Sequence, residues 1–297
     1  MVASPSGAVS ILSAADLARL DRLALLTRRR LRGDMPGERR SRRIGAGGPF
    51  ADHRTYTPGD DLRYVDWNVY FRLGDLVVKR FESIDSVRVL LCLDRSASMA
   101  GRKSVEARRL AAALAHVALR RRDTVAFAWL PALEGRPVET YRDAARLGGL
   151  FDALATLPDA GPTRHADDLE RILAAAGRRG PAILISDFFD PAGAVAGLSR
   201  LQARGFETTA LHLLDPHDAE LPVGEAVRCV DRETGEILDL DVTAELAEGV
   251  RASWRRRAER LRSWCAVRGI GWVRVDVGRP LWDVLRDLLR AGVVVGA

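Results

Sequence analysis

Acidic and hydroxyl side chains alternate directly after an apolar segment of the sequence. Val87–Leu93 is interrupted only by Arg88, and Asp94, Ser96 and Ser98 follow it. Alternate residues of an extended loop project in the same direction, so the three side-chain oxygens can converge. Mg²⁺ prefers octahedral coordination by oxygen and keeps several waters, so one carboxylate with two hydroxyls suits it. The spacing predicts a magnesium site, with Mn²⁺ and Ca²⁺ left open because oxygen ligands serve all three ions.

Two further acidic residues follow apolar segments in the way that Asp94 does. Asp187 comes after Ala182–Ile185, and Asp215 comes after Phe206–Leu214. In open α/β sheets, ligands bind beyond the carboxyl ends of the strands, near the point where the strand order reverses. A helix cap is the simpler interpretation of Asp94 or of a serine after it. One cap accounts for only one of these residues, so a shared site is favoured.

The segments that must position these residues alternate between strands and helices. Strands are expected at 87–93, 124–130, 137–141, 182–185, 206–214 and 273–277, and helices at 102–122, 143–156, 164–178, 191–204, 244–267 and after Pro280. A hairpin is expected where 227–230 and 237–240 flank Asp231–Gly235. Strands alternating with helices imply βαβ units. The predicted fold class is α/β, with a doubly wound, mostly parallel sheet.

The first 85 residues differ from the rest. A helix is expected at 14–32, and short strands with tight turns at 50–82. Arg19–Arg43 holds ten arginines against three acidic residues but no aromatic residue for base stacking. A solvated basic face or a docking patch for an acidic partner is therefore favoured over nucleic-acid binding. We expect residues 1–85 to form an N-terminal extension packed on a main domain of residues 86–297.

The composition excludes several classes of protein. The 297 residues are 47% hydrophobic and 29% charged, which indicates a globular chain and excludes disorder and disulfide scaffolds. No apolar run approaches the roughly 18 residues of a membrane span, and the start lacks a secretory signal, so a cytoplasmic location is expected. Three separated cysteines indicate buried reduced thiols. Neither a phosphate-binding loop nor a G-x-S-x-G nucleophile elbow occurs, so no enzyme is predicted.

The pattern D-x-S-x-S at 94–98 resembles the opening of the metal-ion-dependent adhesion site of von Willebrand factor A domains. In those domains, a threonine from a later loop and an aspartate at the end of the fourth strand complete the site. The resemblance implies a von Willebrand factor A-like, Rossmann-type fold for residues 86–297. It also implies that Asp94 and Asp187 act through water and the hydroxyls coordinate directly. The implied metal ligands are Asp94, Ser96, Ser98, Thr163 and Asp187.

A second resemblance covers most of the chain, from about Gly45 to Leu288. The sequence R-T-Y-T-P-G-D-D-L-R-Y-V-D-W at 54–67 resembles the signature of the bacterial domain-of-unknown-function family fifty-eight. Leu214-Asp215-Pro216 and Asp231–Gly235 are similar to further parts of that family's pattern. Its members are commonly encoded beside MoxR-type AAA+ ATPases, so the resemblance implies such an ATPase as the partner.

Acidic residues within this signature have two interpretations. Asp60, Asp61 and Asp66 could form a second metal or acid–base centre. Arginines occur throughout the same segment, so a network of ion pairs and turn hydrogen bonds is favoured, with Tyr56 and Trp67 as packing residues. The arginines concerned are Arg54, Arg63, Arg72 and Arg80.

Together these observations predict a non-enzymatic, metal-dependent protein-binding module. The protein donors carry little negative charge, so a bound ion stays electrophilic and can accept an Asp or Glu carboxylate from the partner. Two alternatives remain. One is a metal-free scaffold that binds through its N-terminal segment. The other is a metal-assisted phosphoesterase that uses Asp94 and Asp187.

Overall fold

The structure is a computed structural model that describes residues 11–25, 50–81, 87–159, 161, 165–177 and 180–296. These residues fall into two compact units. The larger unit contains 11–25 and the described residues from 87 onward, and the smaller unit contains 50–81. The N-terminal helix therefore belongs to the larger unit, whereas the sequence grouped it with the signature segment. Packing of the smaller unit on the larger one stays a prediction. Thr163 and most of Arg19–Arg43 lie outside the described residues.

The bounds of the elements follow in chain order. The strands are β1 (Leu23–Leu25), β2 (Phe50–Thr55), β3 (Val77–Phe81), β4 (Arg88–Asp94), β5 (Thr124–Leu130), β6 (Glu139–Tyr141), β7 (Pro181–Ser186), β8 (Glu207–Leu214), β9 (Ala226–Val230), β10 (Ile237–Asp241), β11 (Gly271–Asp276) and β12 (Val294–Gly296). The α-helices are α1 (Ala14–Leu20), α2 (Trp67–Leu73), α3 (Arg102–Arg120), α4 (Leu147–Thr156), α5 (His165–Ala176), α6 (Pro191–Ala203), α7 (Ala244–Val267) and α8 (Leu281–Arg290). Short 3₁₀ turns include Ala97–Met99 and Pro216–Ala219.

Six strands form the central sheet of the larger unit, in the order β11-β8-β7-β4-β5-β6. Neighbouring strands are parallel except for β6, which pairs antiparallel with β5 at one edge. The chain builds outward from β4 in one direction through β5 and in the other through β7, so the strand order reverses between β4 and β7. The predicted α/β class with a mostly parallel sheet is confirmed. The space beyond the ends of β4 and β7 is where such a sheet binds ligands.

Helices cover both faces of this sheet because β4 is apolar on both sides. Leu91 packs in a cluster with Leu110 of α3 and Leu285 of α8. Leu90, which points to the opposite face, packs in a second cluster with Leu198 of α6. Strands buried on two faces read as continuous apolar runs rather than as alternating patterns. This explains why the central strands could be located from the sequence to within about two residues.

The first helix is shorter than expected. It begins at a capping box in which the Ser13 hydroxyl accepts from the Asp16 N–H at 3.1 Å and the Asp16 carboxylate accepts from the Ser13 N–H at 3.2 Å. It ends at Leu20, and β1 then pairs antiparallel with β12. The predicted helix over 14–32 is wrong for residues 21–25, and its remaining residues, 26–32, lie outside the described part of the chain. The leucine spacing after Leu20 is compatible with a short strand as well as with a helix. The pairing with β12 favours the strand.

The smaller unit is built on the antiparallel pair β2 and β3. The expected ion pairs occur in part: Arg54 contacts Asp60 at 2.6 Å, and Arg63 contacts Asp61 at 2.6 Å. The side chain of Arg80 lies outside the described part of the chain. The two observed pairs are compatible with a structural role for these acidic residues.

The contacts of Asp66 are likewise compatible with the predicted structural role. It pairs with His53 at 3.0 Å and with Lys79 at 3.3 Å. Its carboxylate also accepts from two backbone N–H groups in the first turn of α2, which Gly74 ends in the left-handed conformation. This helix was expected to be strand and turn. Trp67, expected to pack, is 47% exposed.

The remaining features concern the hairpin and the thiols. β9 and β10 pair antiparallel around the predicted turn, which confirms the hairpin. Cys92 and Cys265 are buried free thiols as expected, while Cys229 on β9 is half-buried. Within the part of the chain that the structure describes, no helix is long and apolar enough to cross a bilayer.

Candidate functional site

The loop after β4 folds its polar side chains back onto the strand end. The Asp94 carboxylate accepts a hydrogen bond from the Ser96 N–H at 2.9 Å. Ser96 starts the 3₁₀ turn Ala97–Met99, and its hydroxyl lies 3.1 Å from the hydroxyl of Ser98. Asp94 and Ser96 are buried. The strand end therefore presents one carboxylate and two adjacent hydroxyls, as the alternation in the sequence predicts.

Asp187 reaches the same edge because β7 pairs with β4 in parallel register. Its carboxylate lies 3.5 Å from the Ser98 hydroxyl and accepts from the Phe189 N–H at 3.1 Å. Ser186 joins the two strand ends, since its hydroxyl donates to the Asp94 carboxylate at 2.6 Å. Four of the five predicted ligands are thus brought together. Their role as metal ligands stays a prediction, and Thr163 lies outside the described residues.

A lysine that the sequence reasoning missed lies in this cluster. Lys103 Nζ is 2.7 Å from Asp187 Oδ2 and 2.7 Å from Asp218 Oδ2. The side chains of Lys103 and Asp187 are 5% and 1% exposed, whereas that of Asp218 is 32% exposed. Lys103 is in the first turn of α3, directly after the loop that carries Ser98. The position of Lys103 close to Ser98 in the sequence was the signal that could have identified it.

The carboxylates and the ammonium of the cluster shift one another's pKa values. Burial and the neighbouring Asp94 carboxylate raise the pKa of Asp187, although Lys103 opposes this. Burial disfavours the ammonium of Lys103, yet Asp187 and Asp218 raise its pKa above the ordinary value, so it remains charged. Lys103 contacts two of the three carboxylates, those of Asp187 and Asp218, and the Arg257 guanidinium also interacts with Asp187. A further cation would relieve the repulsion between Asp94 and Asp187.

The donors fit a small hard cation better than a transition metal. Ligands on adjacent corners of an octahedron with bonds of about 2.1 Å lie about 3.0 Å apart, and the Ser96 and Ser98 hydroxyls are 3.1 Å apart. Across the described ranges, no three His, Cys, Asp or Glu side chains are grouped so that they could hold a metal ion. A cation at this edge would have to be held by hydroxyls supported by two carboxylates, which matches Mg²⁺.

A small cavity of about 200 Å³ opens beside these residues. Ser98 and Lys103 line it on one side, and Asp218, Trp254 and the hairpin turn at 230–233 line it on others. Arg232 of that turn donates to the backbone carbonyl of Ala100 at 3.0 Å. The cavity has room for a side chain rather than for a drug-sized ligand.

Asp215, the third acidic residue at a strand end, does not contact the cluster directly. It caps the 3₁₀ turn Pro216–Ala219 by accepting from the His217 N–H at 3.1 Å, and it pairs with Arg102 at 3.1 Å. Its contribution is to hold the turn that carries Asp218.

The fold and the cluster define an α/β protein with an acid- and hydroxyl-lined site at the carboxyl edge of its central strands. Within that class, the chain belongs to the family described as protein of unknown function DUF58, which matches residues 52–263. An uncharacterized protein of Mycobacterium tuberculosis H37Rv, Rv1480, is 32% identical over 285 residues, which span 92% of this chain and 87% of that protein. An uncharacterized protein of Mycobacterium avium, MAV169, is 40% identical over 72 residues, or 24% of this chain and 41% of that protein.

Two solved structures are similar at lower identity. A conserved hypothetical protein, BatB, from Bacteroides thetaiotaomicron is 15% identical with a TM-score of 0.39, and the match covers 69% of this chain and 98% of that one. An aerotolerance-related membrane protein from Bacteroides fragilis is 15% identical with a TM-score of 0.35, covering 64% and 92%.

Proposed function

We propose that this protein is a non-enzymatic protein-binding module whose binding depends on a divalent cation, Mg²⁺ in the first instance. One observation carries the proposal. Asp94, Ser96, Ser98 and Asp187 converge at the carboxyl edge of β4 and β7, where they bring together two carboxylates and two hydroxyls. We also propose that the larger unit is von Willebrand factor A-like, because the D-x-S-x-S pattern begins at the end of its central strand.

Each residue has a distinct part in this proposal. The Ser96 and Ser98 hydroxyls contact the cation directly, together with Thr163 from the later loop. Asp94 and Asp187 contact it through water, and their orientation is fixed by the Ser96 and Phe189 N–H groups. When bound, the cation supplies an electrophilic position for a carboxylate of the partner. Binding of the partner would therefore be directional and would require the metal.

The proposed partner is a MoxR-type AAA+ ATPase, with this protein as its adaptor or client-presenting factor. This part rests on the family resemblance. A partner Asp or Glu would complete the coordination of the cation. The cytoplasmic location proposed with it can be tested by cell fractionation.

Calorimetric titration of the ATPase with this protein, in Mg²⁺ and in EDTA, tests the proposal. Chelation and Asp94→Ala should each weaken binding by about 10- to 100-fold, since metal sites lose affinity by that order when a supporting group is removed. Asp190→Ala is the matched control, because Asp190 caps α6 and does not contact the cluster. Equal, tight binding in all arms would remove the metal from the mechanism.

The metal-free scaffold is supported by a separate observation. In the smaller unit, α2 exposes large apolar side chains, with Phe71 at 80% and Leu73 at 72% exposure. Exposed apolar clusters of this kind are typical of protein-binding surfaces. If this surface binds the partner, Phe71→Ser with Leu73→Ser should abolish binding, while Asp94→Ala and EDTA leave it intact. The reverse pattern favours the metal-dependent mechanism.

A further inference from the structure

We propose that Lys103 competes with the divalent cation for Asp187 and that Asp218 holds the Lys103 ammonium when the cation binds. This inference rests on the proposed function, because it concerns the same site. It assigns a role to two residues outside the predicted ligand set. It also explains why one ammonium contacts two carboxylates with different degrees of exposure.

The first step concerns distance. Lys103 Nζ is equidistant from Asp187 and Asp218, at 2.7 Å from each. The Ser98 hydroxyl contacts the other oxygen of the Asp187 carboxylate. A cation held by Ser98 and a positively charged Lys103 would therefore share one carboxylate. Like charges at such separations repel strongly where burial limits screening by water.

The second step concerns where the lysine can go. Ser98, Lys103 and Asp218 line the same cavity, and the ammonium already contacts Asp218, so it can keep that contact when it leaves Asp187. The lysine side chain is long and flexible. Asp218, in contrast, is on a short turn that Asp215 caps and Arg102 braces. The Leu214-Asp215-Pro216 pattern therefore has a structural role, because it holds Asp218 in place as the alternative partner of Lys103.

The metal affinity of the site therefore depends on whether Lys103 pairs with Asp187 or with Asp218. Removing the ammonium should strengthen metal binding, because Asp187 then serves the cation alone. Removing the Asp218 carboxylate should weaken metal binding, because Lys103 is left with Asp187 as its partner. Two neutralising substitutions at neighbouring positions are thus expected to act in opposite directions.

Magnesium titration of the full chain by calorimetry, and the rise in melting temperature on adding Mg²⁺, test this inference. Lys103→Gln should bind Mg²⁺ at least about tenfold more tightly than the wild type, and Asp218→Asn at least about tenfold more weakly. Arg120→Gln is the control for losing a positive charge from α3 away from the site, because Arg120 lies in the last turn of that helix and pairs with Asp21. Asp231→Asn is the control for losing a negative charge from the same cavity.

The outcomes separate the two proposals. If wild-type binding depends on Asp94 but Lys103→Gln behaves like Arg120→Gln, Lys103 does not compete and the inference is overturned. If neither the wild type nor folded Lys103→Gln binds Mg²⁺, the proposed function itself fails. If Lys103→Gln does not fold because Asp187 is left unpaired, Asp218→Asn decides. Binding no weaker than that of Asp231→Asn then overturns the inference.

Discussion

Ser186 orients the polar groups at the ends of β4 and β7. Its hydroxyl donates to Asp94 and accepts from the Phe188 N–H at 2.9 Å, and the whole side chain is buried. The side chain thus fixes both the carboxylate and the turn that leads to α6.

Substitution of this serine should be costly. Ser186→Ala leaves the Asp94 carboxylate without its short hydrogen bond, and we expect the free energy of unfolding to fall by about 1–3 kcal/mol. Urea denaturation measures this. Ser199→Ala is the control, since that hydroxyl donates within α6 to the Val195 carbonyl, which keeps its helical environment. A loss no larger than that of the control would contradict the assigned role.

His212 should make stability depend on pH. It lies between Phe188 and Trp272, and burial lowers its pKa to about 4. The unfolded chain, with a pKa of about 6.5, binds more protons below that pH, so acidification favours unfolding. From pH 7 to pH 5, the stability difference between the wild type and His212→Phe should fall by about 2 kcal/mol.

The control for this measurement is His217→Phe. His217 is exposed and contacts Glu220 at the surface. This substitution removes an exposed histidine, so it controls for the loss of an imidazole that is not buried. A pH-independent difference between wild type and His212→Phe would mean that the buried ring does not titrate as its environment requires.

At the residue scale, the sequence predicts local geometry better than remote contacts. The convergence of Asp94, Ser96 and Ser98 follows from their spacing, and Asp187 follows from the rule for strand ends. Lys103 and Asp218 could not be predicted in this way. Their contacts depend on the direction of a long side chain and on a turn more than one hundred residues further along the chain.

At the scale of elements, α2 depends on one residue at its start. Asp66 caps the helix and pairs with His53 and Lys79. Asp66→Ala removes the cap and both pairs, so the amides of Trp67–Leu73 should exchange hydrogen about fivefold faster or more. Hydrogen exchange read by mass spectrometry measures this directly.

Asp66→Asn separates the two contributions. Asparagine is as good a cap as aspartate but carries no charge. We expect its exchange rates to lie between those of the wild type and Asp66→Ala. Equal exchange in all three proteins would show that packing, rather than the cap, holds α2.

The elements themselves show where sequence patterns suffice. β5 and α7 were predicted with their observed bounds, because a strand buried on both faces reads as a continuous apolar run and a long amphipathic helix has a strong periodic signal. α2 was missed because its aromatic and β-branched residues favour strand, and its two caps override that preference. The end of α1 depends on the pairing of β1 with β12, which no local pattern encodes.

At the scale of the whole molecule, the reactivity of each of the three thiols depends on how deeply the fold buries it. Burial raises the pKa of Cys92 to about 12 and that of Cys265 to about 11. A thiol reagent at pH 8 should therefore react rapidly with one cysteine of the folded chain, Cys229, and with three after denaturation.

Cys229→Ser provides the control for this count. The folded variant should show no rapid reaction, while its denatured chain should react at two positions. Rapid modification of two or more thiols in the folded wild type would mean that the central strand or α7 opens to solvent far more readily than its packing allows.

The arrangement of the sheet was predictable in class but not in detail. Alternating strands and helices required parallel pairing, and the continuous apolar runs required burial on both faces. The strand order, with β4 between β5 and β7, could be determined only from the structure. This order decides the site, because it makes the ends of β4 and β7 immediate neighbours.

Pairing between β1 and β12 has a consequence for biosynthesis. The ribosome releases residues 23–25 long before it has made residues 294–296, so the nascent chain must carry β1 without its partner while the residues between them are made. An unpaired strand edge is a template for association with other chains. Ribosome-bound intermediates of this protein should therefore need a chaperone at that edge until β12 emerges.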